Sequence, residues 1–187
     1  GTESAVRVLL LDAARLTSAV GLRLGLSPAA LSGSRSHRIW REPGAVAEVA
    51  VPTKWGADVL TLPPHPQLAE REGVGGEPGL GHFGAAEAGE LVDGAQREGY
   101  HLLVIDLGSL LEEGHRGLID QADLVLGVVR PTLESLPDVF RLATVLRAQG
   151  MGRKLTLVAS GADADTEIRR LAREADVPVA GCVRPDP

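Results

Sequence analysis

The sequence predicts an α/β fold in three layers, with helices covering both faces of a mostly parallel sheet. Two apolar runs, 102–105 and 124–129, have no polar interruption, which is typical of strands buried on both faces. From Gly84 onward such runs alternate with helical segments, as they do around a parallel sheet. The chain of 187 residues is 44% apolar, which suffices for a core, and we expect 1–187 to form a single domain.

Short apolar runs that end at a polar or turn residue predict the individual strands. In chain order these are 6–11, 57–62, 102–105, 124–129, 155–159 and 179–183. Helices are predicted where apolar or small residues recur three or four positions apart between those runs. They cover 15–24, 85–98, a segment from Pro137 to Gln149, and 166–175. Pro137 suits the first turn of its helix, and Gly150 suits the position after the last turn.

Composition excludes several classes of protein. The net charge of −6 argues against a nucleic-acid partner. A single cysteine, Cys182, excludes a disulfide framework and makes a reducing cytoplasm the expected location. No apolar run approaches the roughly 18 residues that a membrane-spanning helix needs. The basic segment 34–41 contains a tryptophan and leaves peripheral membrane or phosphate contact open, although a solvated loop is the simpler interpretation.

Two of the predicted strands end at an aspartate, Asp12 after the first and Asp106 after the third. Parallel strands place their carboxyl ends at one edge of the sheet, which is where ligands of open α/β sheets bind. We therefore expect the two carboxylates to lie near a shared site, with Asp106 as a ligand of Mg²⁺, directly or through water. The alternative for each is a helix-capping role, and for Asp12 capping is the simpler interpretation.

Glycine motifs offer weaker signals. Segment 79–84 matches G-x-G-x-x-G, but 70–78 before it is charged and glycine-rich rather than strand-like, so a loop is preferred to a dinucleotide site. Gly76 and Gly81 have phosphate-loop spacing, but His82–Phe83 replaces the required Lys and Ser/Thr. The histidines and the cysteine show no zinc-ligand spacing, and no G-x-S-x-G motif occurs.

Several segments in order carry a family resemblance. They are 7–12 (R-V-L-L-L-D), 24–28 (L-G-L-S-P), 57–64 (A-D-V-L-T-L-P-P), 100–108, 122–138 and 179–187. Together they resemble the P-loop ATPases of the ParA/MinD type (SIMIBI class, CpaE/TadZ-like). The resemblance implies a P-loop NTPase-like fold, with Asp12, Asp106 and Pro131 at the nucleotide and Asp106 at its Mg²⁺ ion.

Other positions depart from that family. Its phosphate loop, K-G-G-V-G-K-T/S, precedes the strand that begins here at Val6, where the sequence has only five residues. In the family, the second aspartate of a D-x-D pair positions the attacking water, and here that position holds Ala14. The family's asparagine that recognises the nucleotide base corresponds here to Ala159–Ser160. Gly108 stands where the family usually has proline. ATP and Mg²⁺ are therefore expected as cofactors only if a further segment completes the site.

The resemblance and its departures lead to two functional hypotheses. We favour a degenerate member, a pseudo-ATPase, because internal positions depart from the family as well as the N-terminal part. By resemblance such a bacterial protein positions or assembles machinery for division, pili, flagella or secretion, with protein partners and a homodimer expected. The alternative is a fragment of an active ATPase whose phosphate loop lies outside the sequence. The domain is thus expected to be truncated or degenerate at its N-terminus, and no catalytic residue is assigned.

Overall fold

The computed structural model describes residues 6–15, 19–27, 30–31, 42, 44–65, 83–108, 112–130, 132, 136–161 and 164–184, with the backbone alone at 136, 164, 165 and 167. The chain divides into two compact units, Gly1–Gln121 (unit 1) and Ala122–Pro187 (unit 2). Each unit has its own sheet. The single domain over 1–187 stays a prediction.

Unit 1 is built on a sheet that is parallel except at one edge. Its described elements are β1 (Val8–Asp12), α1 (Val20–Arg23), α2 (Ala45–Val49), β2 (Val51–Pro52), β3 (Ala57–Thr61), α3 (Ala85–Arg97), β4 (Leu102–Asp106) and α4 (Glu113–Gln121). The strand order is β2-β3-β1-β4. β1 pairs in parallel with β3 and β4, whereas the short β2 pairs antiparallel with β3. The predicted α/β class with a mostly parallel sheet is confirmed.

The core of unit 1 forms around the central strand β1. Leu9 and Leu11 of β1 are fully buried, as are Leu60 of β3 and Leu91 of α3. Fully burying a leucine side chain contributes roughly 1.5–3 kcal/mol. The core therefore fixes the strands whose carboxyl ends carry the predicted site.

Unit 2 is a smaller parallel layer with the strand order β5-β6-β7. Its described elements are β5 (Val125–Val129), α5 (Leu136–Ala148), a 3₁₀ turn (Gly152–Lys154), β6 (Leu155–Ser160), α6 (Ala164–Ala175) and β7 (Val179–Val183). Pro137 is the second residue of α5, and Gly150 follows its end at φ +75°, as predicted. Among the described residues, no helix combines the length and apolar character that crossing a membrane requires.

Local structure departs from the predicted elements in the first third of the chain. Of the predicted helix 15–24, only α1 is present among the described residues. Arg15 instead lies in a turn that its amide closes on the carbonyl of Ala13. α2 and β2 were not predicted, because elements of five and two residues are too short to show a periodic pattern.

The prediction that both faces of the sheet are covered is wrong for the outer strands. Leu102 and Val104 of β4 are 50% and 46% exposed, and Leu126 and Val128 of β5 are 51% and 70% exposed. Side chains alternate between the two faces of a strand, and these residues lie on a face of their sheet that the described residues leave open.

Candidate functional site

The carboxyl edge of the unit 1 sheet brings the two predicted aspartates side by side. Asp12 ends β1 and Asp106 ends β4, and the parallel register makes them direct partners. Thr61 of β3 is the partner of Asp12 on the other side. The predicted convergence on one sheet edge is confirmed, while the assignment of both aspartates to a nucleotide stays a prediction.

The Asp12 carboxylate accepts hydrogen bonds from the backbone around it. The side chain is buried, with a residue exposure of 1%. Its Oδ1 accepts the amide N–H of Ala14 at 3.3 Å, and its Oδ2 accepts the amide N–H of Val20 at 3.1 Å. Because Val20 begins α1, the second bond satisfies an amide at that helix's N-terminus. The structure favours the capping interpretation for Asp12.

Asp106 is placed differently, because it is exposed at the end of the outermost strand. Its Oδ1 accepts the amide N–H of Gly108 at 2.9 Å. Gly108 has φ +65°, a conformation that suits glycine at a turn directly after the strand. The carboxylate is thus accessible to solvent and positioned by a short turn.

A buried ion pair closes the same edge, and sequence analysis did not find it. The Arg15 guanidinium contacts Glu112 Oε2 at 2.8 Å and donates to the carbonyls of Pro63 at 2.8 Å and Pro64 at 3.1 Å. Burial lowers the pKa of Arg15, while the charge of Glu112 opposes that shift. Through these contacts Arg15 joins the ends of β1 and β3 to the segment that leads into α4.

His115 supports the pair from inside α4. It is 1% exposed, and its Nδ1 accepts the amide N–H of Glu112 at 3.0 Å. Its Nε2 lies 2.8 Å from the carbonyl oxygen of Ala13, a contact that requires the proton on Nε2. The ring is therefore held in place by hydrogen bonds at both of its nitrogens.

The chemistry of the donors can be tested against a nucleotide with Mg²⁺. Asp106 fits as one magnesium ligand, but the Asp12 oxygens are held by backbone amides. The Thr61 hydroxyl is fully buried and has no hydrogen-bond partner among the described residues. In the described part of the chain no three metal-binding side chains cluster. The described residues thus supply Asp106 as a candidate magnesium ligand, and no chemical step is derived through a nucleotide.

Other predicted features lie outside the described residues or away from the edge. Pro131, the basic segment 34–41 and the glycines of 79–81 belong to the residues that the structure does not describe. A surface cleft of about 800 Å³ lies in unit 2, along α6 and the start of β7. Its lining includes Arg169 and Arg173 but neither of the aspartates discussed above.

Comparison with known proteins gives matches at the level of structure. No protein-family profile and no curated protein sequence matches the chain. A ParA family ATPase from Chlorobium tepidum TLS has a TM-score of 0.68 at 15% identity, over 98% of this chain and 73% of its own. A chain of the MinC:MinD cell division protein complex from Aquifex aeolicus has a TM-score of 0.69 at 18% identity, over 96% and 69%.

A third match is the cell division ATPase MinD from Pyrococcus furiosus, with a TM-score of 0.67 at 16% identity, over 96% of this chain and 71% of its own. The chain has the ParA/MinD-type ATPase fold. The resemblance inferred from the ordered segments is thereby confirmed for the architecture. At these identities the ParA/MinD-type likeness shows the fold alone, and the activity of the neighbours is not transferred by it.

Proposed function

We propose that this chain is a positioning or assembly scaffold on the ParA/MinD-type fold, which acts through protein partners and without its own ATP hydrolysis. The machinery it serves belongs to bacterial cell division, pili, flagella or secretion, and the proposed location is the cytoplasm. The observation that carries the proposal is the carboxyl edge of the unit 1 sheet, where intramolecular contacts occupy Asp12, Arg15 and Glu112.

Those contacts leave little with which to handle a nucleotide. Asp12 binds two amides, and Arg15 binds Glu112 and two carbonyls. Ala14, at the position that holds the water-positioning aspartate in the resembled family, is 7% exposed and has no group that moves a proton. A positioned base contributes about 10²–10⁴-fold to a rate. Without one, the edge supports a structural role better than a hydrolytic one.

Protein partners follow from the fold comparison as part of this proposal. One structural neighbour is a chain of a complex between two cell division proteins, MinC and MinD. A scaffold on the same fold works by presenting surfaces to such partners or to a second copy of itself. A homodimer is accordingly included in the proposal.

Calorimetry with Mg-ATP tests the absence of nucleotide chemistry. We expect no saturable binding heat with the 187-residue chain. Phosphate should be released from ATP no faster with the chain than in buffer alone. Micromolar, Mg²⁺-dependent binding that Asp106→Ala abolishes would overturn the scaffold proposal. Asp93→Ala, which removes an exposed carboxylate on α3, is the matched control and must leave any binding unchanged.

Localisation in cells tests the positive part of the proposal. A fluorescently tagged chain is expected to form discrete foci at the division site, the poles or a secretion apparatus. Asp106→Ala is expected to form the same foci, because positioning does not depend on nucleotide in this proposal. Foci that disperse in Asp106→Ala but persist in Asp93→Ala would contradict it.

The outer strands favour a second candidate, a segment of an active ATPase of this type. β4 and β5 have the apolar composition of central strands, yet each has one unpaired edge among the described residues. Natural edge strands usually carry charges or proline that discourage further pairing. Asp106 lies exposed at the end of one of these strands, where an added strand and loop would reach it.

The reading frame upstream of this sequence separates the two candidates. The second candidate expects a strand followed by a glycine-rich loop with G-K-T/S in that frame. The longer protein would then hydrolyse ATP, and Asp106→Ala would lower kcat by about 10²-fold or more. An upstream frame without that loop, or a longer protein with no hydrolysis, would eliminate it.

A further inference from the structure

The amino ends of the unit 1 strands carry an exposed patch that the proposed function does not use. Trp55 lies in the turn between β2 and β3 and is 68% exposed, and Val6, just before β1, is 65% exposed. Val8 of β1 pairs with Ala57 of β3. Val6 precedes Val8 by two residues, and Trp55 precedes Ala57 by two residues. They lie at the ends of β1 and β3 opposite to Asp12. We call Val6, Lys54 and Trp55 the amino-edge patch.

The turn that carries Trp55 is fixed by its own hydrogen bonds. The Thr53 hydroxyl donates to the carbonyl of Ala57 at 2.7 Å, and it accepts the amide N–H of Trp55 at 3.3 Å. The amide of Gly56 donates to the carbonyl of Thr53 at 3.3 Å, and Gly56 has φ +81°. A tryptophan presented on an ordered turn loses little conformational freedom when a partner covers it.

The strand ends behind the patch are held by a polar network. The Arg7 guanidinium stacks over the Tyr100 ring at 4.3 Å and donates to the carbonyl of Glu98 at 2.7 Å. The Tyr100 hydroxyl donates to Asp58 at 2.8 Å, and Arg7 reaches the same carboxylate at 3.4 Å. These bonds tie β1, β3 and β4 together at their amino ends, so the patch sits on a rigid base.

A lysine lies beside the exposed tryptophan. The Lys54 ammonium lies 4.9 Å from the centre of the Trp55 ring, and Lys54 itself is exposed. Arg7 is 45% exposed at its side chain, and its ion pair with Asp58 balances its charge. The nearby carboxylate Asp58 is already bound by Arg7 and Tyr100. Lys54 therefore places a positive charge beside the exposed Trp55 ring.

We propose that the amino-edge patch docks a protein segment in which acidic side chains flank an apolar one. Trp55 would enter an apolar surface of the partner, with Lys54 facing its carboxylates. Tryptophan and arginine are the residue types that most often dominate binding energy at protein interfaces. The proposal goes beyond the scaffold function, because it assigns a surface and a partner chemistry.

A membrane fits the same groups less well. Stable membrane anchoring takes more buried apolar surface than Trp55 and Val6 supply, since even a single myristoyl chain binds only marginally. One lysine and a half-exposed arginine also add little attraction to an anionic bilayer. A protein surface shaped around one tryptophan needs no larger contact from this chain.

Selection from a random-peptide display library tests the docking surface on the full chain. The Trp55→Ala chain serves for counter-selection, and enriched peptides are synthesised and titrated by calorimetry. We expect enriched peptides to combine Asp or Glu with Leu, Phe or Trp. Their affinity should fall at least about tenfold in Trp55→Ala and several-fold in Lys54→Glu. It should also weaken as salt rises, because the attraction is between charges.

Leu22→Ala is the matched control, since Leu22 is 50% exposed in the same unit but lies on α1. It should leave peptide affinity unchanged, and thermal unfolding should show all three variants folded. Enrichment of basic peptides, no enrichment, or equal affinity in Trp55→Ala would each overturn the proposal. So would Trp55-dependent sedimentation with phosphatidylglycerol vesicles without peptide binding. None of these outcomes depends on Mg-ATP, so failure here is distinguishable from failure of the scaffold function.

Discussion

At the scale of single residues, the charged side chain of Arg15 has a structural role at the carboxyl edge of unit 1. The Arg15 side chain is 2% exposed, and Glu112 and two proline carbonyls share its donors. A buried ion pair adds little to stability compared with an apolar replacement of both partners. Removing one partner alone is costly, because the other charge stays buried without a counter-charge. The pair therefore makes the fold sensitive to changes at either residue.

We expect Glu112→Ala to lower the free energy of unfolding by about 3 kcal/mol, because it leaves the buried guanidinium without its counter-charge. Urea denaturation with an unchanged m-value measures this loss. Glu174→Ala is the control, since it removes the exposed Arg170–Glu174 pair on α6 and should cost about 0.5 kcal/mol or less. Equal losses in the two variants would contradict the role assigned to Arg15.

Tyr100 is the one tyrosine in the chain, so its titration is observed without interference. Burial raises its pKa, and the hydrogen bond to Asp58 adds to the shift. A raised pKa in the folded state means that the associated stability is present below the ordinary tyrosine value of about 10 and is lost as pH rises above it. Tyrosinate absorbance should appear well above that value in the folded protein and near it in urea. Coinciding titrations would show that Tyr100 is neither buried nor hydrogen-bonded to Asp58 in solution.

At the scale of elements, α3 and α4 pack closely because small residues line their contact. A Cβ added at Gly117 would lie 2.9 Å from Ala85 Cα and 2.9 Å from Ala88 Cβ. At Gly114 it would lie 2.1 Å from the Phe83 ring. Since backbone atoms cannot move aside cheaply, both positions of α4 require glycine for packing rather than for backbone freedom.

Gly117→Ala should therefore destabilise the protein by about 1–3 kcal/mol through overpacking, although alanine is the better helix former. Gly89→Ala on α3 is the matched control, because the nearest atom there is a Gln121 side-chain nitrogen at 3.5 Å. That variant should gain up to about 1 kcal/mol from helix propensity. Thermal unfolding of the two variants in parallel gives both values. A stabilised Gly117→Ala would show that the two helices are farther apart.

The same scale shows what the sequence could predict. Segment 85–98 shows a helical pattern and matches α3 within one residue, and 179–183 matches β7. The pairing of Asp12 with Asp106 followed from parallel topology alone. The contact of Arg15 with Glu112 joins positions 97 residues apart, and no local pattern encodes such a contact. The available signal was an arginine shortly after the apolar strand β1. The sequence analysis placed this residue in the predicted helix 15–24 instead.

At the scale of the whole molecule, each unit presents one apolar strand at the end of its sheet. Val104 of β4 is 46% exposed, and Val128 of β5 is 70% exposed. Strand edges of this kind pair readily with other chains unless a charge or a bulge prevents it. The isolated chain is therefore expected to associate with itself as its concentration rises.

Val104→Lys and Val128→Lys together should shift the sedimentation profile toward the monomer and slow aggregation on warming. Each change lies on an exposed side chain and should alter the free energy of unfolding by only about 0.5 kcal/mol. Val145→Lys, on the exposed face of α5, is the control and should leave association unchanged. Association that survives the double change would point to a surface other than the strand edges.

The burial of Ala14 has a consequence for how this chain can evolve. Its methyl group is enclosed, and its amide is bonded to the Asp12 carboxylate at 3.3 Å. An aspartate introduced at this position would bring a second negative charge into a closed site, where desolvation and repulsion both oppose ionisation. A single codon change would thus lower stability before it restored any chemistry. For the proposed scaffold, an aspartate at position 14 would therefore lower stability without a compensating gain in activity.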